Sequence, residues 1–361
     1  MIRILVGDCR TVLAGLPDQS VQCCVTSPPY FGLRDYGIAE QIGLEATPEA
    51  FVAELVAVFR EVRRVLRDDG TLWLNLGDSY SGSGRGGNPE AGTKQGTNAG
   101  SQTVGVLYGL GPEDRAAERA RMKAQNEALR AGGLKPKDLI GIPWRVAFAL
   151  QADGWYLRQD IIWSKPNPMP ESVQDRCTKA HEYLFLLSKS PTYHCDMAAI
   201  AEPAIYSGLA GQDASGYKDA ANFDGKHGRF AGNVRPAKGQ AAYEAGDERQ
   251  RTKAALLANA EKAREEGGYQ TRNKRSVWTV ATQPFKEAHF ATFPPALIEP
   301  CILAGCPVGG TVLDPFGGAG TTGLVADRLQ RSAILIELNP AYAEMARARV
   351  TGDAPLFADV A

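Results

Sequence analysis

The stretch TVLDPFGGAGTTGLVADRLQRSAILIELNPAYAEMARARV, residues 311–350, reads as strand, glycine turn, helix, strand and helix. Gly318, Gly320 and Gly323 fall at the spacing G-x-G-x-x-G, after an apolar run and at the opening of a helix. Glycines there permit a tight turn and close approach of a ligand to the backbone, and an acid ending the next strand, here Glu337, suits ribose hydroxyls. Two features turn the reading away from a dinucleotide. Too few residues follow Glu337 for the remaining strands of such a fold, and Asp314-Pro315 precede the glycines. A carboxylate at Asp314 suits a cationic ligand better than a pyrophosphate. S-adenosylmethionine, with a sulfonium, an ammonium and ribose hydroxyls, meets both requirements; a tight turn without a ligand is the plain alternative.

If this unit is one part of a sheet, the other strands must come from earlier in the chain. Residues 2–8 and 21–26 read as buried parallel strands, with a turn of helix between them. Residues 48–67 form an amphipathic helix. Thr47 is its N-cap and Pro48 its first residue, Phe51, Leu55, Val58, Val62, Val65 and Leu66 recur at helical spacing, arginines load the last turns, and Gly70 is the stop. Residues 71–78 are the next strand, 138–154 a helix opened by Ile-Pro, and 155–165 and 181–189 two strands joined as a hairpin. Alternating strands and helices make an α/β sheet with mostly parallel strands. Residues 79–111 and 201–280 are polar and poor in large apolar residues, with a charged helix at 113–130. The expected organisation is an α/β part at 1–78, an insertion at 79–137 that is mobile or clamps a partner, a second α/β part at 138–196, a polar region at 197–280, and a third α/β part at 281–361.

The 361 residues carry 40 basic and 41 acidic side chains, a net charge of −1, which neither demands nor excludes a polyanionic partner. No run of eighteen apolar residues exists, so no membrane span is expected. The opening MIRILVGDCR reads as a strand rather than a signal peptide. Seven cysteines without a CxxC pair fit small buried residues in a reducing cytoplasm, with no metal site expected.

A second stretch, CCVTSPPYFG at 23–32, ends a buried strand in two prolines. Proline cannot donate to a ladder, so the chain leaves the sheet and a rigid loop carries Tyr30 over its carboxyl edge, where open α/β sheets bind ligands. TSPPY at 26–30, DPFGGAGTTG at 314–323 and their order carry a resemblance. The chain resembles the β-class amino-methyltransferases of DNA, whose catalytic motif precedes the cofactor motif. GDC (7–9), GTLWLNLGD (70–78), IIWSKPNPMPES (161–172) and HFATFPPALIEPCI (289–302) extend it over residues 1–80, 139–196 and 286–350.

The resemblance implies a circularly permuted, Rossmann-like S-adenosylmethionine-dependent methyltransferase sheet with one antiparallel strand. It implies methyl transfer to the exocyclic amine of a base flipped out of double-stranded DNA. Ser27, Pro28, Pro29 and Tyr30 become the catalytic loop: Tyr30 stacks on the base, and the Ser27 hydroxyl and Pro28 carbonyl accept from the amine. Ser in the first position goes more often with N4 of cytosine, and Asp with N6 of adenine, so N4-cytosine is favoured and N6-adenine is the alternative. A carbon-5 cytosine enzyme needs a nucleophilic cysteine after a proline, and Pro300-Cys301 lies in an apolar helical run. A DNA-binding module without chemistry would be expected to have lost one of the two loops, and relatives that methylate protein glutamine carry Asn first. For S-adenosylmethionine the resemblance implies Asp8 at the adenine amine and Asp314, Phe316, Gly318, Gly320 and Thr321 at the methionine end. It puts Glu337 at the ribose, and Phe290, Thr292 and Phe293 closing the pocket. It makes 197–280 a target-recognition region, with Arg249, Arg251, Arg272, Lys274 and Arg275 as phosphate contacts and Lys165 at the rim of the active site. A cognate restriction endonuclease and a homodimer are compatible partners that the sequence leaves open.

Overall fold

A computed structural model describes residues 1–33, 38, 40–82, 112–203, 271–283 and 293–353, the side chains of 112–119 excepted. The sheet is built in the order β1 (Ile2–Val6), β10 (Ser332–Glu337), β9 (Thr311–Asp314), β2 (Val21–Thr26), β3 (Leu66–Leu76), β5 (His181–Ser188), β4 (Tyr156–Ser164) and β8 (Val277–Thr279). The pairs from β1 through β3 are parallel, β5 runs against both of its neighbours, and β4 pairs with β8 in parallel. The C-terminal unit therefore slots beside the N-terminal strand, with Ile2 opposite Ala333 and Val6 opposite Glu337, as the permuted order requires.

The helices are α1 (Cys9–Ala14), α2 (Pro48–Val65), α3 (Pro112–Ala131), α4 (Ile142–Ala152), α5 (Pro295–Gly305), α6 (Thr321–Arg328) and α7 (Pro340–Asp353). Crossovers β1-α1-β2 and β2-α2-β3 step one way along the sheet and β9-α6-β10 the other, so right-handed connections put α1 and α2 on one face and α6 on the opposite face. Fully buried Phe51, Leu55, Val58, Phe59 and Val62 of α2 pack with Leu72, Leu74 and Phe185 of the sheet. The Thr47 hydroxyl accepts from Ala50 N at 3.2 Å, as the capping pattern predicts.

Two local expectations are corrected. The helix ends at Val65, not 67, and Gly70 is not its stop, because buried Leu66 already pairs with Val21 and opens β3. Exposed Arg67, Asp68 and Asp69 are then accommodated by an irregularity in register before Cys23 meets Thr71. At the sheet edge, Val277 pairs with Ile162 of β4. The stem of the insertion is zipped, with Ile140 N bonded to Ser79 O and Ser81 N to Asp138 O. Gln125 of α3 donates to Glu45 O at 3.0 Å, in the connection that follows the proline loop.

Residues Ile200–Lys274 form a separate compact unit. Its described part is a two-residue ladder, β6 (Glu202–Pro203) with β7 (Thr271–Arg272), and the Arg272 guanidinium bonds Glu202 at 3.1 Å.

Candidate active site

The direction of the crossovers reverses between the parallel strands β9 and β2: one leads left to β10 and the other right to β3. Open α/β sheets bind ligands in the crevice at such a switch point, beyond the carboxyl ends of the strands. An open cavity of ≈1170 Å³, its mouth included, lies there. Its walls are the segments that follow β1 (Gly7–Arg10), β2 (Ser27–Tyr30), β9 (Pro315–Ala319) and β10 (Leu338, Asn339 and Tyr342), with Ile42 and Phe293. The two stretches singled out in the sequence thus open into one space.

The glycine turn is held by backbone bonds. Gly318 adopts φ +50, Gly317 N donates to Ile336 O at 2.8 Å, and Gly318 N donates to Glu337 Oε2 at 2.8 Å. The other carboxylate oxygen of Glu337 accepts from Asn339 N at 2.8 Å, and burial pushes this carboxyl above its ordinary value. Phe316 and Thr321 also line the cavity, and the Thr321 hydroxyl accepts from Arg349 at 2.9 Å. Gly320 stands behind the wall. Its φ is +74, and a Cβ there would lie 2.8 Å from Cβ of Ala346, so this glycine serves helix packing against α7. Gly323 likewise admits Leu335 of β10.

Asp314 reaches the cavity wall but turns its oxygens into the fold. They accept from the hydroxyls of Thr26 and Thr322, each at 2.6 Å, and from Phe316 N at 3.1 Å. Burial pushes its carboxyl up to about 6 against these bonds. Asp8 caps α1 by accepting from Arg10 N at 2.8 Å and pairs with the Arg10 guanidinium, which holds its carboxyl below the ordinary value. Arg10 also donates to Glu54 at 2.9 Å and to Glu40 O at 3.0 Å, tying the chain after the proline loop to the cavity rim. Arg10, Asn339 and Tyr342 were not foreseen. Only their places just beyond strand ends could have marked them.

Pro28 is buried, while Ser27, Pro29 and Tyr30 are half-buried at the cavity. The Tyr30 ring lies against Gly77, where a Cβ would fall 2.4 Å from its Cε2. The Tyr30 hydroxyl donates to Glu182 Oε2 at 2.7 Å, and Lys165 forms an ion pair with Glu182 Oε1. Lys165, expected at the rim, pairs with Glu182 behind Tyr30, 4.2 Å from the Trp163 ring centre, and is not among the residues lining the cavity. Arg272 pairs with Glu202 in the other unit; Lys274 and Arg275 are described but are not among the residues lining the cavity. Phe290, Thr292, Arg249 and Arg251 lie outside the described residues. Cys301 is fully buried inside α5, unavailable to a base.

The residues fit S-adenosylmethionine. A glycine backbone and the Glu337 carboxylate stand at the turn, apolar walls flank them, and among the described residues Glu337 has no cationic partner; Asp314 holds the turn from behind, its oxygens spent on Thr26, Thr322 and Phe316 N. No group of three or more His, Cys, Asp and Glu that could hold a metal ion occurs among the described residues, and no described helix is long and apolar enough to cross a membrane.

A permuted methyltransferase sheet with a proline-proline-tyrosine loop at its switch point defines the class. Residues 21–348 match the N6/N4 family model described as DNA methylase. The chain is 44% identical over 346 residues to the type II methyltransferase M.XycI of Xanthomonas campestris pv. cyanopsidis, covering 96% of this chain and 86% of that one. It is 43% identical to M.Cfr9I of Citrobacter freundii, covering 96% and 87%. Among solved structures, the fold matches the cytosine-N4-specific PvuII DNA methyltransferase with TM-score 0.55 and 16% identity, over 97% of this chain and 86% of that one. It also matches a DNA modification methylase of Thermus thermophilus, complexed with S-adenosyl-L-methionine, with TM-score 0.53 and 23% identity over 100% of both chains. The chain belongs to the N6/N4 DNA methylase family, and S-adenosylmethionine is its methyl donor.

Proposed function

We propose that this enzyme methylates the exocyclic N4 of a cytosine flipped out of double-stranded DNA at a specific site. The observation that carries the base assignment is Ser27: the loop it heads opens into the same cavity as the glycine turn. Bound S-adenosylmethionine supplies an electrophilic methyl on its sulfonium. Glu337 and the Gly317–Gly318 backbone would hold its ribose side, Asp8 with Arg10 the adenine side, and the Asp314–Phe316 turn with Thr321 the methionine side. Phe293 would close the mouth.

The Ser27 hydroxyl and the Pro28 carbonyl accept the two amine hydrogens of the base. Holding both hydrogens turns the nitrogen lone pair out of conjugation with the ring and toward the methyl group. Pro28 and Pro29 fix the two acceptors in advance, so orientation rather than a covalent intermediate lowers the barrier. Tyr30 offers its face to the extruded base, a contact typically worth about 1–3 kcal/mol. The unit Ile200–Lys274 is proposed to read the target sequence and the basic residues around it to grip phosphates. The type II name of the relatives motivates a cognate restriction endonuclease as a functional partner.

The test is product identity. The protein is incubated with unmodified DNA and labelled S-adenosylmethionine, the DNA is digested to nucleosides, and these are identified by mass spectrometry. N4-methylcytosine is expected. N6-methyladenine would overturn the base assignment while retaining the loop chemistry.

A further inference from the structure

We infer that Glu182, steadied by Lys165, is the positioning residue that fixes the direction of the Tyr30 ring before the base arrives. This inference rests on the reading of Tyr30 as the platform for the flipped base. Four elements converge on one carboxylate. Tyr30 comes from the loop after β2, Asn75 from β3, Glu182 from the start of β5, and Lys165 from the end of β4. Glu182 stands opposite Trp163 in the β4–β5 ladder, and Lys165 N is bonded to Ala180 O at 2.8 Å, so backbone pairing fixes where both charged side chains start.

The lysine side chain is 17% exposed and the glutamate 16%. Lys165 takes Oε1, which directs Oε2 at the Tyr30 hydroxyl, 2.7 Å away. Asn75 Nδ2 donates to the same oxygen at 3.3 Å and to Tyr183 O at 3.1 Å, closing the other side. A charge-assisted bond at the hydroxyl fixes the direction of the phenol ring, and the close approach of Gly77 to its Cε2 and Cδ2 edge limits rotation about that axis. Stacking a base on a loose ring would require ordering that ring at the moment of binding. Here the ring is already ordered by the protein: the Glu182–Lys165 pair, held from the sides by Asn75 and the Trp163 ring, turns its other carboxylate oxygen to the Tyr30 hydroxyl.

The experiment is a double-mutant cycle on turnover with unmodified DNA, using Tyr30→Phe, Glu182→Ala and the double variant. Each single change is expected to lower kcat about tenfold or more, with the KM for S-adenosylmethionine changed by less than about threefold. The double variant should be no worse than the weaker single, because both remove the Tyr30–Glu182 bond, Tyr30→Phe removing with it the longer 3.2 Å contact to Asn75 Oδ1. Glu182→Gln, which retains an oxygen acceptor, should recover most of the loss. Multiplicative losses in the double variant, or a Tyr30→Phe enzyme with wild-type kcat, would overturn the inference. Tyr30→Phe adds no buried charge and keeps the assay decisive even if Glu182→Ala does not fold. The premise is tested apart from it by Tyr30→Ala. An active Tyr30→Ala enzyme defeats the reading of the loop itself, whereas an inactive one beside a fully active Glu182→Ala enzyme defeats only the role of Glu182.

Discussion

Gly77, one residue beyond β3, gives the sharpest test of how the site is built. A methyl group on it would stand 2.4 Å from Cε2 of Tyr30, 2.9 Å from Cδ2 and 3.1 Å from Cζ, where ordinary contact begins at 3.4 Å. Gly77→Ala must therefore move the ring, or the end of β3, by about 1 Å. The strand is the stiffer of the two, since β3 is paired on both sides, to β2 and to β5. The ring then yields, and its hydroxyl is carried from 2.7 Å to beyond hydrogen-bond range of Glu182. A misplacement of this size near reacting groups costs on the order of 100-fold in rate. Gly77 does not line the cavity, so cofactor binding is spared. The expected result is kcat lowered about 100-fold, with calorimetric affinity for S-adenosylmethionine within about threefold of wild type. A folded Gly77→Ala protein with kcat within about threefold of wild type would refute the reasoning.

Tyr30→Ala removes the stacking face, and Pro28→Ala loosens the acceptor; both are expected to abolish most turnover while leaving S-adenosylmethionine titrations unchanged, and near-normal turnover in either would reject the account of the loop. Glu337→Ala removes the acid at the turn and strands the amides of Gly318 and Asn339. Affinity for S-adenosylmethionine should fall at least about tenfold by calorimetry, and an unchanged affinity would reject the assignment of Glu337.

What was legible in the sequence was whatever the backbone demands locally. The glycines at 318, 320 and 323 and the prolines at 28 and 29 announce themselves because few other residues tolerate those conformations or end a strand so abruptly. Even so, the pattern did not say which glycine faces the ligand. Gly318 lines the cavity, while Gly320 and Gly323 admit Ala346 and Leu335. The partners of Tyr30 were illegible for a different reason. Glu182 is 152 residues away and reaches Tyr30 only through the register of β3, β5 and β4. Lys165 looked like a rim cation because nothing nearby in sequence reveals its carboxylate. Leu66 has a spacing that suits either element, and its pairing with Val21 decides for the strand.

Asp314 joins the two halves of the chemistry, and this leads to a last prediction. Thr26 directly precedes Ser27, and Asp314 precedes the glycine turn; the 2.6 Å bond between them ties the proposed catalytic loop to the proposed cofactor loop across 288 residues of sequence. Thr26→Val is near-isosteric and removes only that donor. A buried carboxylate deprived of a hydrogen bond loses about 1–3 kcal/mol. Burial has already raised Asp314 from its ordinary 3.8 to about 6, with the Thr26 bond acting in the opposite direction. A carboxyl raised in the folded state favours stability fully below its unfolded value, and that contribution is lost as pH rises through the folded value. Removing Thr26 raises the folded value further, so the loss in the variant extends to higher pH. Thr26→Val should thus be more destabilising relative to wild type at pH 8 than at pH 5, as read by urea unfolding at each pH. An equal difference at both would mean that Asp314 does not carry its charge against Thr26, and that the two loops are held in register by the β2–β9 ladder alone.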